Sequence, residues 1–166
     1  MTLLSKANME LIQFYMNNPY ILEMKKYYQH GKITTYDHCI NVMKKACKLA
    51  CRLRFNEEQL NNLITGAILH DFYLYDWHTG RKRQNGTHAW SHPKTALSNA
   101  EKHFELNDKQ KNIIRSHMYP TCFLHPPKCK EAWIVVIIDK YCAIEEYFRS
   151  INKKSCLQIV DNSLNN

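Results

Sequence analysis

Apolar residues recur along most of the chain with the period of three to four residues that is typical of amphipathic α-helices. In the first half this period predicts four helices, and polar side chains mark two of their starts. Thr34 or Thr35 suits the N-cap of the third helix, and Asn56 suits that of the fourth. The four helices are expected over residues 3–16, 19–28, 35–54 and 57–71.

The second half alternates predicted helices with two long loops. Pro93 suits the first position of one helix, Asn107 caps the next, and a longer last helix ends near Arg149. The middle of that last helix, residues 132–138, is apolar all round, so we expect it to be buried on all sides. The two loops cover residues 72–91 and 118–127.

Length and composition favour a single all-α domain. The chain has 166 residues, of which 4 are glycine and 5 are proline, too few for a loop-rich or all-β protein. We expect one domain over residues 1–150, with its core over about 20–150. The remaining residues, 151–166, have a weak pattern and are expected to form a C-terminal tail.

Cysteine content and charge limit which cellular compartment and which ligands we expect for this protein. No apolar run reaches 18 residues, and the N-terminus is too polar for a signal peptide. Seven cysteines without a CxxC pair indicate reduced thiols, so we expect a cytoplasmic protein without a membrane partner. The net charge of +8 suits phosphates, nucleic acids or anionic lipids, or solubility alone. Nucleic-acid binding has no support beyond this charge.

Two aspartates stand where the pattern predicts burial. Asp139 follows the apolar residues 132–138, and the pair His70-Asp71 follows Ala67-Ile68-Leu69. A buried carboxylate is costly unless it is paired or bound to a cation. Neither apolar run contains Arg or Lys, and Lys140 points about 100° away from Asp139 on a helix. These acids therefore require a cation of another kind.

His38 lies in the helix before His70-Asp71, and short connections make these helices neighbours. One point can then receive His38, His70, Asp71 and Asp139. Two imidazoles and two carboxylates suit a first-row transition metal better than calcium or magnesium alone. The alternative is a set of separately hydrogen-bonded core histidines and one aspartate that caps a helix.

The ordered set His38, His70-Asp71 and Asp139 resembles the signature of the HD-domain superfamily of metal-dependent phosphohydrolases. The resemblance covers about residues 20–150. It implies a compact helical bundle of the HD-domain type and an enzyme that hydrolyses phosphate esters or anhydrides. It also implies one or two divalent transition-metal ions as cofactors (Fe, Mn, Co, Ni or Zn, with Mg as a further option).

Further histidines resemble those of superfamily members with two metals. In that case His38, His70, Asp71 and Asp139 would hold the first ion. Asp71 would bridge, and His92 and His117 would hold the second. Some two-metal relatives have two consecutive histidines where this chain has His117-Met118, which implies an open position or a weaker hold at the second ion. His88 precedes His92 by one turn and is its rival as a ligand, or it binds substrate.

The mechanism implied is attack on phosphorus by a metal-bound hydroxide, with Asp71 and Lys140 as the catalytic residues. A small phosphorylated substrate such as a nucleotide is favoured over a polymer because the domain is small. Trp77 offers a face for a base to stack on, or it anchors its loop. Further cations that could bind phosphate are Lys94, Arg115 and the run Arg81-Lys82-Arg83, for which a solvated loop is the alternative.

Two other functions remain open at this point. Some members of the superfamily resemble this ligand set and use a mixed-valent di-iron centre to activate dioxygen. Other members are non-catalytic modules that sense a nucleotide, although such modules commonly lose the ligands that are intact here. The substrate, the identity and number of the metal ions and the oligomeric state cannot be read from the sequence.

Overall fold

The protein is described by a computed structural model that covers residues 4–79 and 88–164, with side chains as far as Ile151 except at residues 30 and 79. Within these ranges the chain forms seven α-helices, one two-stranded hairpin and two short 3-10 helices, so the predicted all-α class is confirmed. The helices are α1 (Lys6–Met16), α2 (Pro19–Leu22), α3 (Thr35–Arg52), α4 (Glu57–Leu69), α5 (His88–His103), α6 (Asp108–Ser116) and α7 (Lys130–Leu164).

Capping boxes fix the starts of the helices that carry or precede the candidate site. Thr34, Asn56 and Asn107 accept a hydrogen bond from the backbone N–H three residues later, and the side chain at that position bonds back to the cap backbone. The predicted caps are therefore confirmed, with Thr34 rather than Thr35 at the third helix. Because each cap fixes where its helix begins, it also fixes which residues face inward one or more turns later.

Helix α4 forms the centre of the core and packs against α1, α3, α6 and α7. Its second half is buried, as the sequence predicts. Gly66 is essential to this packing: a Cβ atom there would lie 2.4 Å from Cγ2 of Ile113 on α6. The missing side chain lets α4 and α6 approach closely, so that their C-terminal ends, at His70 and His117, lie side by side.

Helix α5 begins at His88, so the predicted helix start at Pro93 is wrong. A proline inside a helix leaves the carbonyl four residues earlier without its usual N–H donor. Here that carbonyl belongs to Ala89, and it accepts a hydrogen bond from the Cys122 thiol at 3.3 Å. The thiol thus replaces the N–H donor that the proline lacks. The extra turn places His88 and His92 on one face of α5.

A hairpin of β1 (Tyr28–His30) and β2 (Ile33–Thr34) follows the short 3-10 helix Glu23–Lys26. The sequence predicted a helix to about residue 28 and no strands. Gly31 has φ of 60° in the turn, a conformation that glycine adopts without steric cost. The hairpin brings Gln29 over the end of α4.

Helix α7 differs from its prediction in two ways. It continues to Leu164 instead of ending near Arg149. It is also not buried on all sides: Trp133, Ile137 and Tyr141 are exposed, whereas Val135 and Cys142 face the core. None of the described helices is long and apolar enough to cross a membrane.

Candidate metal centre

The first of two groups of donor atoms lies where α3, α4 and α7 meet. His38 on α3 and His70 at the end of α4 both point toward Asp139 on α7, with Nε2 to Oδ1 distances of 3.0 Å and 3.6 Å. Oδ2 of Asp71 lies 3.6 Å from Nε2 of His70 and 3.9 Å from Nε2 of His38. The sequence predicted that these four side chains would converge, and the geometry brings them together.

The second group lies on the other oxygen of Asp71. Its Oδ1 is 3.2 Å from Nε2 of His92 on α5 and 3.4 Å from Nε2 of His117 at the end of α6. The two Nε2 atoms are 2.7 Å apart. Asp71 thus presents one oxygen to each group, and all six residues in the two groups are at most 7% exposed.

The four histidines share one arrangement of their ring nitrogens. In each ring Nδ1 lies 2.7–2.9 Å from an oxygen that can only accept a hydrogen bond. The acceptors are Glu146 Oε2 for His38, Ala67 O for His70, His88 O for His92 and Ile114 O for His117. Nδ1 can therefore carry a proton in each ring, and Nε2 then faces the centre of the site.

Without a cation this arrangement leaves several buried atoms unsatisfied. Nε2 of His70 and Oδ1 of Asp71 have no hydrogen-bond partner, and the lone pairs of His92 and His117 face each other. Two donors bound to one ion at about 2.1 Å lie roughly 3.0–3.4 Å apart, close to most of the distances above. The donors therefore form two groups that could each hold a divalent metal ion, an arrangement that separately hydrogen-bonded core histidines would not explain.

The electrostatics of the site also favour positive charge. Burial alone would raise the pKa of Asp71, but the imidazoles of His70, His117 and His92 outweigh it and hold that pKa well below its usual range. Burial lowers the pKa of His38, but hydrogen bonds to Asp139 and Glu146 overcome this and raise it to about 10. In the absence of metal, a proton on His38 therefore supplies charge that an ion would otherwise provide.

Two polar residues that the sequence analysis missed support the first group. Glu146 accepts from His38 and is itself bonded by the side-chain amide of Asn41 at 3.1 Å. Gln29 donates to Oδ2 of Asp71 at 2.7 Å and accepts from the Tyr73 hydroxyl. Glu146 follows Asp139 by seven residues, two helical turns, so its position could have been found. Gln29 had no such signal because the hairpin was not predicted.

His88 lies beside the second group without belonging to either group. Its ring stacks on that of His92, with centroids 4.5 Å apart, and its Nδ1 is 2.9 Å from the Tyr75 hydroxyl. Burial lowers the pKa of His88 to about 4, so the ring is neutral near pH 7. The geometry favours His92 as the ligand and His88 as its neighbour.

Trp77, a candidate for stacking on a base, already packs against two imidazoles. The His88 ring lies parallel to it at a centroid distance of 5.0 Å, and the His78 ring lies at 3.9 Å. This packing is that of a loop anchor, the alternative that the sequence left open.

The cations expected to bind phosphate lie at different distances from the centre. Lys140 is half-buried, and its Nζ donates to the carbonyl oxygen of His117 at 3.1 Å. Arg115 instead contacts Nε2 of His125 at 2.8 Å, and no contact among the described residues links it to the six donors. Lys94 is exposed on α5. The run Arg81-Lys82-Arg83 lies outside the described residues.

Fold and site together define a helical protein with a buried centre of histidines and carboxylates. The family model of the HD domain matches residues 35–144, about two thirds of the chain. The chain therefore belongs to the HD-domain superfamily of metal-dependent phosphohydrolases. No curated protein and no solved structure matches it. Gln29 and Glu146, which support the first group, both lie outside the matched segment.

Proposed function

We propose that this protein is a metal-dependent hydrolase that cleaves a phosphate ester or anhydride of a small molecule such as a nucleotide. The observation that carries the proposal is the set of buried imidazole Nε2 atoms arranged around the two oxygens of Asp71. When bound, divalent ions at these atoms supply Lewis acidity, which makes water acidic and neutralises phosphoryl oxygens.

In this proposal the two groups hold different numbers of donors. His38, His70, Asp71 and Asp139 would hold one ion, and Asp71, His92 and His117 would hold the other. A site with three protein donors keeps positions open for water or substrate, as catalytic metal sites do. Met118 follows His117, so the chain offers no second consecutive histidine there. The second group is therefore the better place for the scissile phosphate.

Residues around the donors hold them in a binding-competent orientation. Glu146 keeps the proton of His38 on Nδ1, and Gln29 fixes the rotation of the Asp71 carboxylate. Because Glu146 accepts from the His38 ring, it also increases the basicity of that ligand. The packed core around α4 keeps the donors buried, and the low dielectric of the interior strengthens the charge interactions in the site.

Lys140 is assigned the role of holding a phosphoryl oxygen. Its ammonium group lies against the carbonyl of His117, next to the second group. Burial lowers the pKa of Lys140, which reflects an amine that has lost part of its hydration and gains from an anionic partner. The net charge of +8 favours the approach of an anionic substrate in general.

The test is a panel of nucleotides and other phosphate esters, assayed without oxygen on protein loaded with Mn²⁺, Fe²⁺, Co²⁺, Ni²⁺ or Mg²⁺. Phosphate release by the wild-type protein, lost in Asp71→Ala but kept in Asp108→Ala on the surface of α6, is the expected result. A product that requires oxygen would favour the di-iron oxygenase instead. Binding of a nucleotide without turnover of any substrate would favour a sensor.

A further inference from the structure

The outer side of α7 carries a continuous row of exposed apolar side chains, called the outer stripe below. Each of its members is between 42% and 59% exposed. They are Trp133, Ile137, Tyr141, Ile144, Tyr147, Phe148 and Ile151. The opposite side of the same helix packs into the core through residues such as Val135 and Cys142. Helix α7 is therefore apolar on two sides, of which the described chain covers one.

The spacing within the outer stripe is that of a helix-pairing surface. From Ile137 to Ile151 the steps are four, three, four and three residues, so an apolar side chain recurs every 3.5 residues over two heptads. Trp133 extends the row by one more turn. This period keeps the row on one line along the helix, where a second helix can lie against it.

The outer stripe is also large enough for a stable interface. Four of its seven side chains are aromatic, and an aromatic side chain buries roughly 150–250 Å² when it is covered completely. At about half exposure the seven together offer on the order of 800 Å², the area that each partner contributes to a typical stable complex. A patch of this size exceeds what monomers usually expose.

We infer that the outer stripe is covered by the same stripe of a second copy of this chain in a two-fold symmetric dimer. Ile144 is at the middle, seven residues from both Ile137 and Ile151, so the row complements itself when one helix is rotated onto the other. No stripe position carries a charge. Glu145, at its rim, is bonded by Lys45 and Arg149 of its own chain, which leaves the centre apolar and aromatic as in stable interfaces.

The mass of the metal-loaded chain in solution tests this inference. It is measured by light scattering after size-exclusion chromatography at about 100 µM, a concentration well above typical dimer dissociation constants. The wild-type protein should have twice the chain mass of 19.7 kDa. Ile144→Glu and Ile144→Lys should each give monomers, because two like charges would meet at the two-fold axis. An equimolar mixture of the two variants should restore the dimer.

Phe14→Glu is the matched control, because Phe14 is 55% exposed on α1, away from the outer stripe, and this variant should remain dimeric. Circular dichroism and metal content show that each variant is folded, so that loss of the dimer is not loss of the fold.

Four results would overturn the inference. They are a monomeric or larger wild-type protein, variants that remain dimeric, variants whose mixture stays monomeric, and a monomer that binds vesicles of anionic phospholipid through the stripe. None of these results depends on whether the protein hydrolyses phosphate.

Discussion

The two donor groups around Asp71 are held in different ways. In the first group, His38 and Asp71 are hydrogen-bonded to Glu146 and Gln29, residues 108 and 42 positions away along the chain. In the second group, His92 and His117 donate to backbone carbonyls only four and three residues earlier in their own helices. Two donors of the first group therefore have long-range support, whereas both histidines of the second group, like His70, are supported by local helix geometry.

From this difference we infer that the two groups have different roles in binding their ions. Long-range side-chain support and four donors suit an ion that stays bound, while local support and three donors suit an ion that exchanges ligands during a reaction. Because Asp71 belongs to both groups, it is the one donor whose loss should affect both ions equally. Substitutions that affect one group and leave the other intact test this difference.

The largest effect is expected from Asp71→Ala. This change removes the carboxylate shared by both groups, so we expect loss of both ions and of about 10³-fold or more of the hydrolytic activity. Elemental analysis together with phosphate release measures both effects. Asp108→Ala should keep its metal and activity, and retention of both ions by Asp71→Ala would exclude the shared carboxylate.

The next largest effect is expected from His92→Ala, which removes one donor of the second group only. Metal content should fall from two ions to one per chain, and activity should fall with it, while the fold remains intact by circular dichroism. His88→Ala is the matched change one turn earlier on α5, and it should keep both ions. If His88→Ala loses an ion and His92→Ala does not, the ligand is His88.

A smaller effect is expected from Glu146→Gln in the support of the first group. Loss of the carboxylate that accepts from His38 should lower the affinity of the first group for its ion by about 10- to 100-fold. Competition with a chelator, followed for each ion, measures this change. Glu145→Gln is the adjacent control at the surface and should leave both affinities unchanged. Equal weakening of both ions by Glu146→Gln would contradict the separate support of the two groups.

The smallest effect is a dependence of stability on pH in the metal-free protein. The pKa of His38 is raised from 6.5 to about 10 in the folded chain. Because the folded chain binds this proton more tightly than the unfolded chain, the proton stabilises the fold fully below pH 6.5. This contribution is lost as the pH rises toward 10. The melting temperature of the metal-free protein should therefore fall across that range. The melting temperature of the metal-loaded protein should change less with pH, because an ion replaces the proton. An equal change of melting temperature with pH in both forms would contradict this.

The sequence predicted those parts of the fold and site that depend on neighbouring residues. Thr34, Asn56 and Asn107 cap helices through atoms three residues away, and Asp139 is conspicuous against its own apolar run. Such signals are local, so they can be read before the chain is folded. The shared carboxylate of Asp71 was implied by the family resemblance.

The parts that escaped prediction depend on contacts between distant segments. Pro93 lies inside α5 because the Cys122 thiol satisfies the carbonyl that the proline leaves without a donor. Gln29 reaches Asp71 only because a hairpin forms. The exposed face of α7 could not be separated from its buried face, since both are apolar and only packing decides between them.

We propose that one carboxylate, that of Asp71, joins two ion-binding groups, and anomalous X-ray scattering from crystals of the full chain grown with Zn²⁺ can test this claim. Two peaks are expected on opposite sides of Asp71, each within about 2.2 Å of one of its oxygens. The first should lie among His38, His70 and Asp139, and the second between His92 and His117. A map with no peak beside Asp71 would contradict the claim.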